Sequence, residues 1–175
     1  MKLLNIGYEN EELPYEISRL VGRRANLLTA VCHEILQILP SNKTKVNADY
    51  IRQAANSSEI YAKITMSWGN LVDNADEAQL DRMIIFMCIK SKEQLNKKDI
   101  QQALKKYDYK YTFLQLEYAL IRLEIAYIIK KDLDNNRYHF CVPLFVKLLK
   151  EMPLEEMLEL EMIEYRRRNK IAAKM

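Results

Sequence analysis

Chemistry starts from side chains that can move a proton, attack an electrophile or hold a metal, and here they fall in unhelpful arrangements. The chain has two histidines, His33 and His139, and three cysteines, Cys32, Cys88 and Cys141. A cysteine nucleophile needs a positioned base and a third group to orient that base. Cys32 and His33 are neighbours in a helical pattern, so their side chains leave on different faces. His139 and Cys141 alternate onto one strand face and would offer a metal two ligands, whereas a structural zinc site takes four. The phosphate loop GxxxxGKS/T, the dinucleotide turn GxGxxG, the zinc helix HExxH and the nucleophile elbow GxSxG are all missing. The expectation is a chain that is no enzyme by itself, with no metal and no cofactor of its own.

Two groupings have chemistry of another kind. Arg23 and Arg24 follow Gly22 at the start of a helical pattern, where the helix dipole disfavours cations unless an anion sits nearby. They are the candidates for sensing a phosphate. Farther along, a helix over 112–123 would present Tyr111, Gln115, Tyr118 and Arg122 outward, and a following hairpin would add Lys130, Lys131 and Arg137. That is the surface with which a helix-turn-helix domain reads DNA. Its electrostatic footprint is thin, because Glu117 and Glu124 flank the face and phosphate contacts supply most non-specific affinity. Contact with another protein is the preferred reading of the same surface, with DNA as the alternative.

Helical elements must position these groups. Apolar residues recur at steps of three and four through 13–39, interrupted at Gly22, which can close the first helix in a left-handed cap. Pro40 stops the second helix. Asn47 can cap a short helix to about Asn56, and Ser58 a further one carrying Ile60, Ile64, Trp68 and Leu71, with Gly69 marking its end. After Asp73-Asn74 the pattern changes. A helix over 76–90 carries Leu80, Met83, Ile84, Met87 and Cys88; Asn96 caps a second over 97–107; the third, over 112–123, packs Phe113, Leu116, Leu120 and Leu123 inward. The β-branched and aromatic run 125–129, the turn Asp134-Asn135-Asn136 and the alternating 137–142 then spell a hairpin, and Pro143 opens another helix. A last helix, about 154–172, has the stripe Leu154, Met157, Leu158, Met162 and Tyr165, acidic residues early and Arg166, Arg167, Arg168 and Lys170 late, as the helix dipole favours.

Size and composition bound the function. At 175 residues the chain suits one ordinary domain or two small ones. Lys plus Arg exceed Asp plus Glu by only 27 − 24 = 3, too little to argue for nucleic acid. The longest wholly apolar run, 83–89, falls far short of the roughly 20 residues of a membrane span. The start turns acidic at Glu9, Glu11 and Glu12 and does not read as a signal peptide. Three widely spaced cysteines suit buried thiols in the cytoplasm better than a disulfide framework.

Taken in order, the segments resemble the C-terminal half of AAA+ and related STAND ATPases, in which a helical lid is followed by a winged helix. Residues 17–36, from Ile17-Ser18-Arg19 through Gly22-Arg23-Arg24 to Ile35-Leu36, are similar to the family's helix, glycine turn and long lid helix. Residues 46–54 look like the short lid helix that comes next, and Arg137-Tyr138-His139-Phe140-Cys141-Val142-Pro143-Leu144-Phe145 resembles the strand and Pro-Leu-Phe that open the last winged-helix element. The resemblance spans about 13–151. It implies a lid closing over nucleotide, with a lid arginine near the γ-phosphate; Arg23 and Arg24 lie in that turn. STAND members often carry a nucleotide-contacting His where this chain has Val142, with His139 three residues earlier, a departure that weighs against nucleotide contact by this segment.

A lid without a phosphate loop cannot cradle phosphates or hold Mg²⁺. The expected architecture is therefore mainly α: a helical lid bundle (1–73), a winged helix-turn-helix with a small β-hairpin (74–152) and a C-terminal helical extension (153–175). The expected role is a non-catalytic region of a larger ATPase that binds ATP elsewhere, its partner a nucleotide-binding core domain or another protein. The alternatives are a stand-alone DNA-binding regulator and a helical adaptor that oligomerises through the last helix.

Overall fold

The structure, a computed structural model, describes residues 6–68, 71–91 and 95–172. It is mainly helical, with a small antiparallel sheet and a C-terminal helix. The chain divides into two compact units, 1–67 with 142–145, and 68–141 with 146–175. The helix expected as a separate extension thus lies within the second unit, and the helix opened by Pro143 contributes its first turn to the first.

In the first unit, β1 (Gly7–Tyr8) pairs in parallel with β2 (Lys45–Val46), a pairing too short to register in the sequence pattern. Helices α1 (Leu13–Leu20), α2 (Ala25–Ile38), α3 (Ala48–Ala55) and α4 (Ser58–Trp68) supply the buried residues Ile17, Leu27, Val31, Ala54 and Ile60. Asn47 caps α3 as expected, its side-chain oxygen accepting from the N–H groups of Asp49 and Tyr50 at 3.1 Å each. The cap of α4 falls one residue earlier than expected: Ser57 Oγ, rather than Ser58, accepts from Ile60 N–H at 3.3 Å. Gly69, expected to mark the end of α4, lies outside the described residues. Leu39 ends α2 in extended backbone, the conformation Pro40 imposes on its predecessor.

The second unit is built on α5 (Ala75–Lys90), capped by Asn74 and buried at 78–81 and 83–89. Covered on every face, such a helix loses the one-sided periodicity of a surface helix, which is why its sequence reads as a continuous apolar run. Helices α6 (Lys97–Lys106), α7 (Phe113–Ile125) and α9 (Leu154–Ala172) pack against it. Strand β3 (Leu95–Asn96), which the sequence pattern did not indicate, joins the hairpin β4 (Ile129–Asp132) and β5 (Arg137–Phe140) in the order β3-β5-β4. The hairpin register pairs Ile129 with Phe140 and Asp132 with Arg137, and Asn136 takes the positive φ its turn requires. It forms later than expected, because α7 runs on to Ile125. Helix α8 (Pro143–Lys150) follows.

Polar groups lock α9 onto α5. Gln79, fully buried, donates to the Glu161 carbonyl at 2.6 Å and accepts from Arg168 at 2.5 Å. Arg82 grips the Glu161 carboxylate with Nε and a terminal nitrogen at 2.5 and 3.0 Å. Tyr165 stacks on Tyr109 at 4.3 Å between centroids.

Among the described residues three helices end in the same left-handed cap, and only one of them uses glycine. At Gly22 (φ 59°) the Arg23 N–H reaches Ser18 O at 2.9 Å and the Gly22 N–H reaches Arg19 O at 3.1 Å. This paired 6→1 and 5→2 bonding satisfies carbonyls that a helix end otherwise orphans. Asp108 (φ 54°) does the same for α6, with Tyr109 N–H on Leu104 O, and Tyr127 (φ 56°) for α7, with Ile128 N–H on Leu123 O. With three glycines in the chain, side-chain-bearing residues occupy these positions at a steric cost. Because Tyr127 is 45% exposed, Tyr127→Gly is expected to raise stability, by up to about 1 kcal/mol once the extra freedom of the unfolded chain is deducted. An unchanged or lower urea midpoint would refute the strain.

Candidate functional site

The surface built by α7 is the candidate site, and its placement begins at the N-terminus of that helix. Thr112 and Gln115 form a reciprocal capping box: Thr112 Oγ1 accepts from Gln115 N–H at 3.2 Å, and Gln115 Oε1 accepts from Thr112 N–H at 2.7 Å. Gln115 is exposed, in the outward position expected of it, and its carbonyl oxygen also serves the helix end. Leu116, Ala119, Leu120 and Leu123 are buried, anchoring the inner face.

Arg122 departs from the expected outward position. Its Nε and one terminal nitrogen each donate to Asp81 at 2.9 Å, and the other terminal nitrogen donates to Glu77 at 2.6 Å. The Asp81 side chain is 2% exposed and that of Arg122 19%. Burial holds the Asp81 carboxyl above its ordinary range even with the guanidinium beside it, while those carboxylates raise the Arg122 pKa against the opposing effect of burial. The single arginine of the supposed reading face is therefore consumed inside the unit, joining α7 to α5.

Beyond Gln115, what α7 turns outward is mainly apolar. Leu114 is 60% exposed, Tyr118 57%, Ile121 46% and Ile125 81%. Their spacing of four, three and four places them in one stripe. Phe113, expected to pack inward, is 63% exposed beneath the Lys97 ammonium, which lies 4.0 Å from its ring centroid. Phe113 lies on the side of the buried Leu116 and Leu120, and as the first residue of α7 it is left exposed beside Lys97. The charges beside the outer stripe are engaged locally: Glu117 with Lys97, and Glu124 Oε1 with the Lys131 N–H at 2.9 Å.

The remaining expected residues disperse. Lys130 and Arg137 are exposed on the hairpin and Lys131 is half-buried. Tyr111 lies before α7, in an open cleft of about 570 Å³ with Lys98, Gln101, Lys105, Asp108 and Lys110. That cationic cleft on α6 is a feature the sequence reading missed, although the helical spacing of Lys98, Gln101 and Lys105 could have found it. In the first unit, Arg23 is exposed with a left-handed backbone (φ 60°) and Arg24 is half-buried at the N-cap of α2; among the described residues neither side chain has a carboxylate partner. Cys88 is buried and its thiol is pushed up to about 12, which suits packing rather than nucleophilic attack. Among the described residues, no three His, Cys, Asp or Glu side chains gather as a metal site, and no helix is long and apolar enough to cross a membrane.

No family model matches the chain, and no curated protein and no solved structure matches it.

Proposed function

We propose that the chain is a protein-contact module, the non-catalytic C-terminal region of a larger AAA+/STAND-type ATPase that relays nucleotide state through protein surfaces. The observation that carries this reading is the outward face of α7, apolar at Leu114, Tyr118, Ile121 and Ile125, with Arg122 spent on Asp81 and Glu77. A helix reading DNA needs cations and hydrogen-bonding groups there. The order helix, short strand, two helices and hairpin over 75–140 supports the winged-helix part of the reading. ATP belongs to the parent protein, and Arg23 and Arg24, open to an anion, are the candidates for sensing its phosphates.

One observation favours a second reading, DNA binding: the cleft with Lys98, Lys105 and Lys110. Duplex titration separates the two. The purified chain is expected to turn over no ATP and to bind duplex no more tightly than the non-specific range, about 10⁻⁴–10⁻⁶ M at physiological salt. Submicromolar affinity at that salt, with a log–log salt slope of about −3 or steeper that flattens in a Lys98→Glu/Lys105→Glu variant, would install the DNA reading instead.

A further inference from the structure

The first unit holds a carboxylate that the fold leaves without a hydrogen bond. Glu34, on α2, is 9% exposed, and glutamate at such depth is almost always paired. Among the described residues its one ion-pair partner is His33 Nδ1, 4.0 Å away and beyond hydrogen-bond length. A buried charge left so is costly unless something from outside compensates it. The Glu34 side chain lines an open cleft of about 660 Å³ between α2 and the start of α4. That volume falls within the range of small-ligand sites, about 300–1,000 Å³.

What this cleft presents is mainly acceptors. Gln37 lies one turn along α2 from Glu34, on the same face. Its amide nitrogen turns to the His33 ring, 3.4 Å from Nδ1, which leaves the carbonyl oxygen as its open end. From α4 come the Ser58 hydroxyl and the Glu59 carboxylate. Two of the donors are spent: Thr29 Oγ1 donates to Ala25 O at 2.9 Å, and the Lys63 ammonium is bound to Glu59 at 3.3 Å. The complement of such a surface is a cation rich in N–H groups. Guanidinium suits it better than ammonium, because its planar fork gives two parallel hydrogen bonds to one carboxylate and keeps further N–H groups for neighbouring oxygens. It also sheds water more cheaply. We infer that the α2–α4 cleft binds a guanidinium group, with Glu34 as its counter-ion. An arginine side chain of another protein and a free guanidine share that chemistry.

The test follows amide chemical shifts of the ¹⁵N-labelled full chain at constant ionic strength. The probes are butylguanidinium, butylammonium, a capped tripeptide with a central arginine, and its citrulline counterpart, which keeps the shape and loses the charge. Butylguanidinium is expected to saturate with a Kd on the order of 1 mM, the range open to so small a ligand. It should shift amides within 33–37 and 58–63, and butylammonium should bind several-fold more weakly. Glu34→Gln should weaken binding by about tenfold or more, the worth of one charge-assisted hydrogen bond. Its urea midpoint should stay level or rise, since no partner in the fold loses a bond. An arginine peptide that binds at least as tightly as butylguanidinium identifies a partner protein's side chain as the source; a weaker peptide identifies a free guanidine. No saturable shift, undiminished affinity in Glu34→Gln, or equal binding of the citrulline peptide would overturn the site. So would a lowered Glu34→Gln midpoint, which would show the carboxylate to be held within the fold. The cleft is separate from the α7 face, so its failure leaves the protein-contact reading standing.

Discussion

Replacing Arg122 by alanine is expected to cost about 3–5 kcal/mol of stability, because it strands the buried carboxylate of Asp81. In the intact protein both Asp81 oxygens take a guanidinium hydrogen at 2.9 Å, and only 2% of that side chain meets solvent. Removing one partner leaves the desolvation penalty of the other in full; removing both need not. Arg122→Leu combined with Asp81→Leu should therefore recover most of the loss. The pH dependence has a definite sign. Burial raises the Asp81 pKa in the folded state above its unfolded value, so folding already favours the protonated acid. This group's contribution is most favourable at low pH and is lost as pH rises from the ordinary carboxylate value, about 3.9, through the raised folded value. Without Arg122 the folded value climbs further and the window widens upward. The Arg122→Ala deficit, read from urea midpoints, should be largest at neutral pH and shrink on acidification. A loss below about 1 kcal/mol that ignores pH would mean the pair is a surface-like contact of little worth.

The same pair shows what the sequence could and could not reveal. Local signals were readable: Asn47 and Asn96 as caps, Gly22 as a left-handed helix end, Asn136 in a turn of positive φ, Pro143 at a helix start. Each depends on residues within one turn of itself. Arg122 was misplaced because its partners Asp81 and Glu77 lie 41 and 45 positions upstream, and only the packing of α7 on α5 brings them near. Gln79 and Arg82 were invisible for the same reason, being bound to Glu161 82 and 79 positions away. Phe113 was misassigned for a different reason. Periodicity placed it correctly on the side of Leu116 and Leu120, but it does not tell how far along a helix the covering neighbours reach, and Phe113 is the first residue of α7. The left-handed caps at Asp108 and Tyr127 carried no signal because neither is glycine. The mainly helical fold was thus legible from local rules, whereas the apolar character of the candidate face emerged only once Arg122 was found bound to Asp81 and Glu77.

Deleting α9, residues 154–172, is expected to unfold the second unit rather than to release a stable core. Leu158 is fully buried and Met162 is 4% exposed, each worth about 1.5–3 kcal/mol of burial. The stacked Tyr109–Tyr165 pair adds about 1 kcal/mol, and the Tyr165 hydroxyl accepts the Lys110 N–H at 3.0 Å. The polar partners count for less, because water reaches Gln79 and Arg82 once Glu161 and Arg168 are gone. What is lost is the apolar cover of α5. Together these terms come to on the order of 5 kcal/mol or more, comparable with the whole stability of an ordinary domain, about 5–15 kcal/mol. The shortened chain should lose helical dichroism beyond the deleted residues and melt without a cooperative transition. A deletion that kept a sharp transition would show α9 to be an appendage.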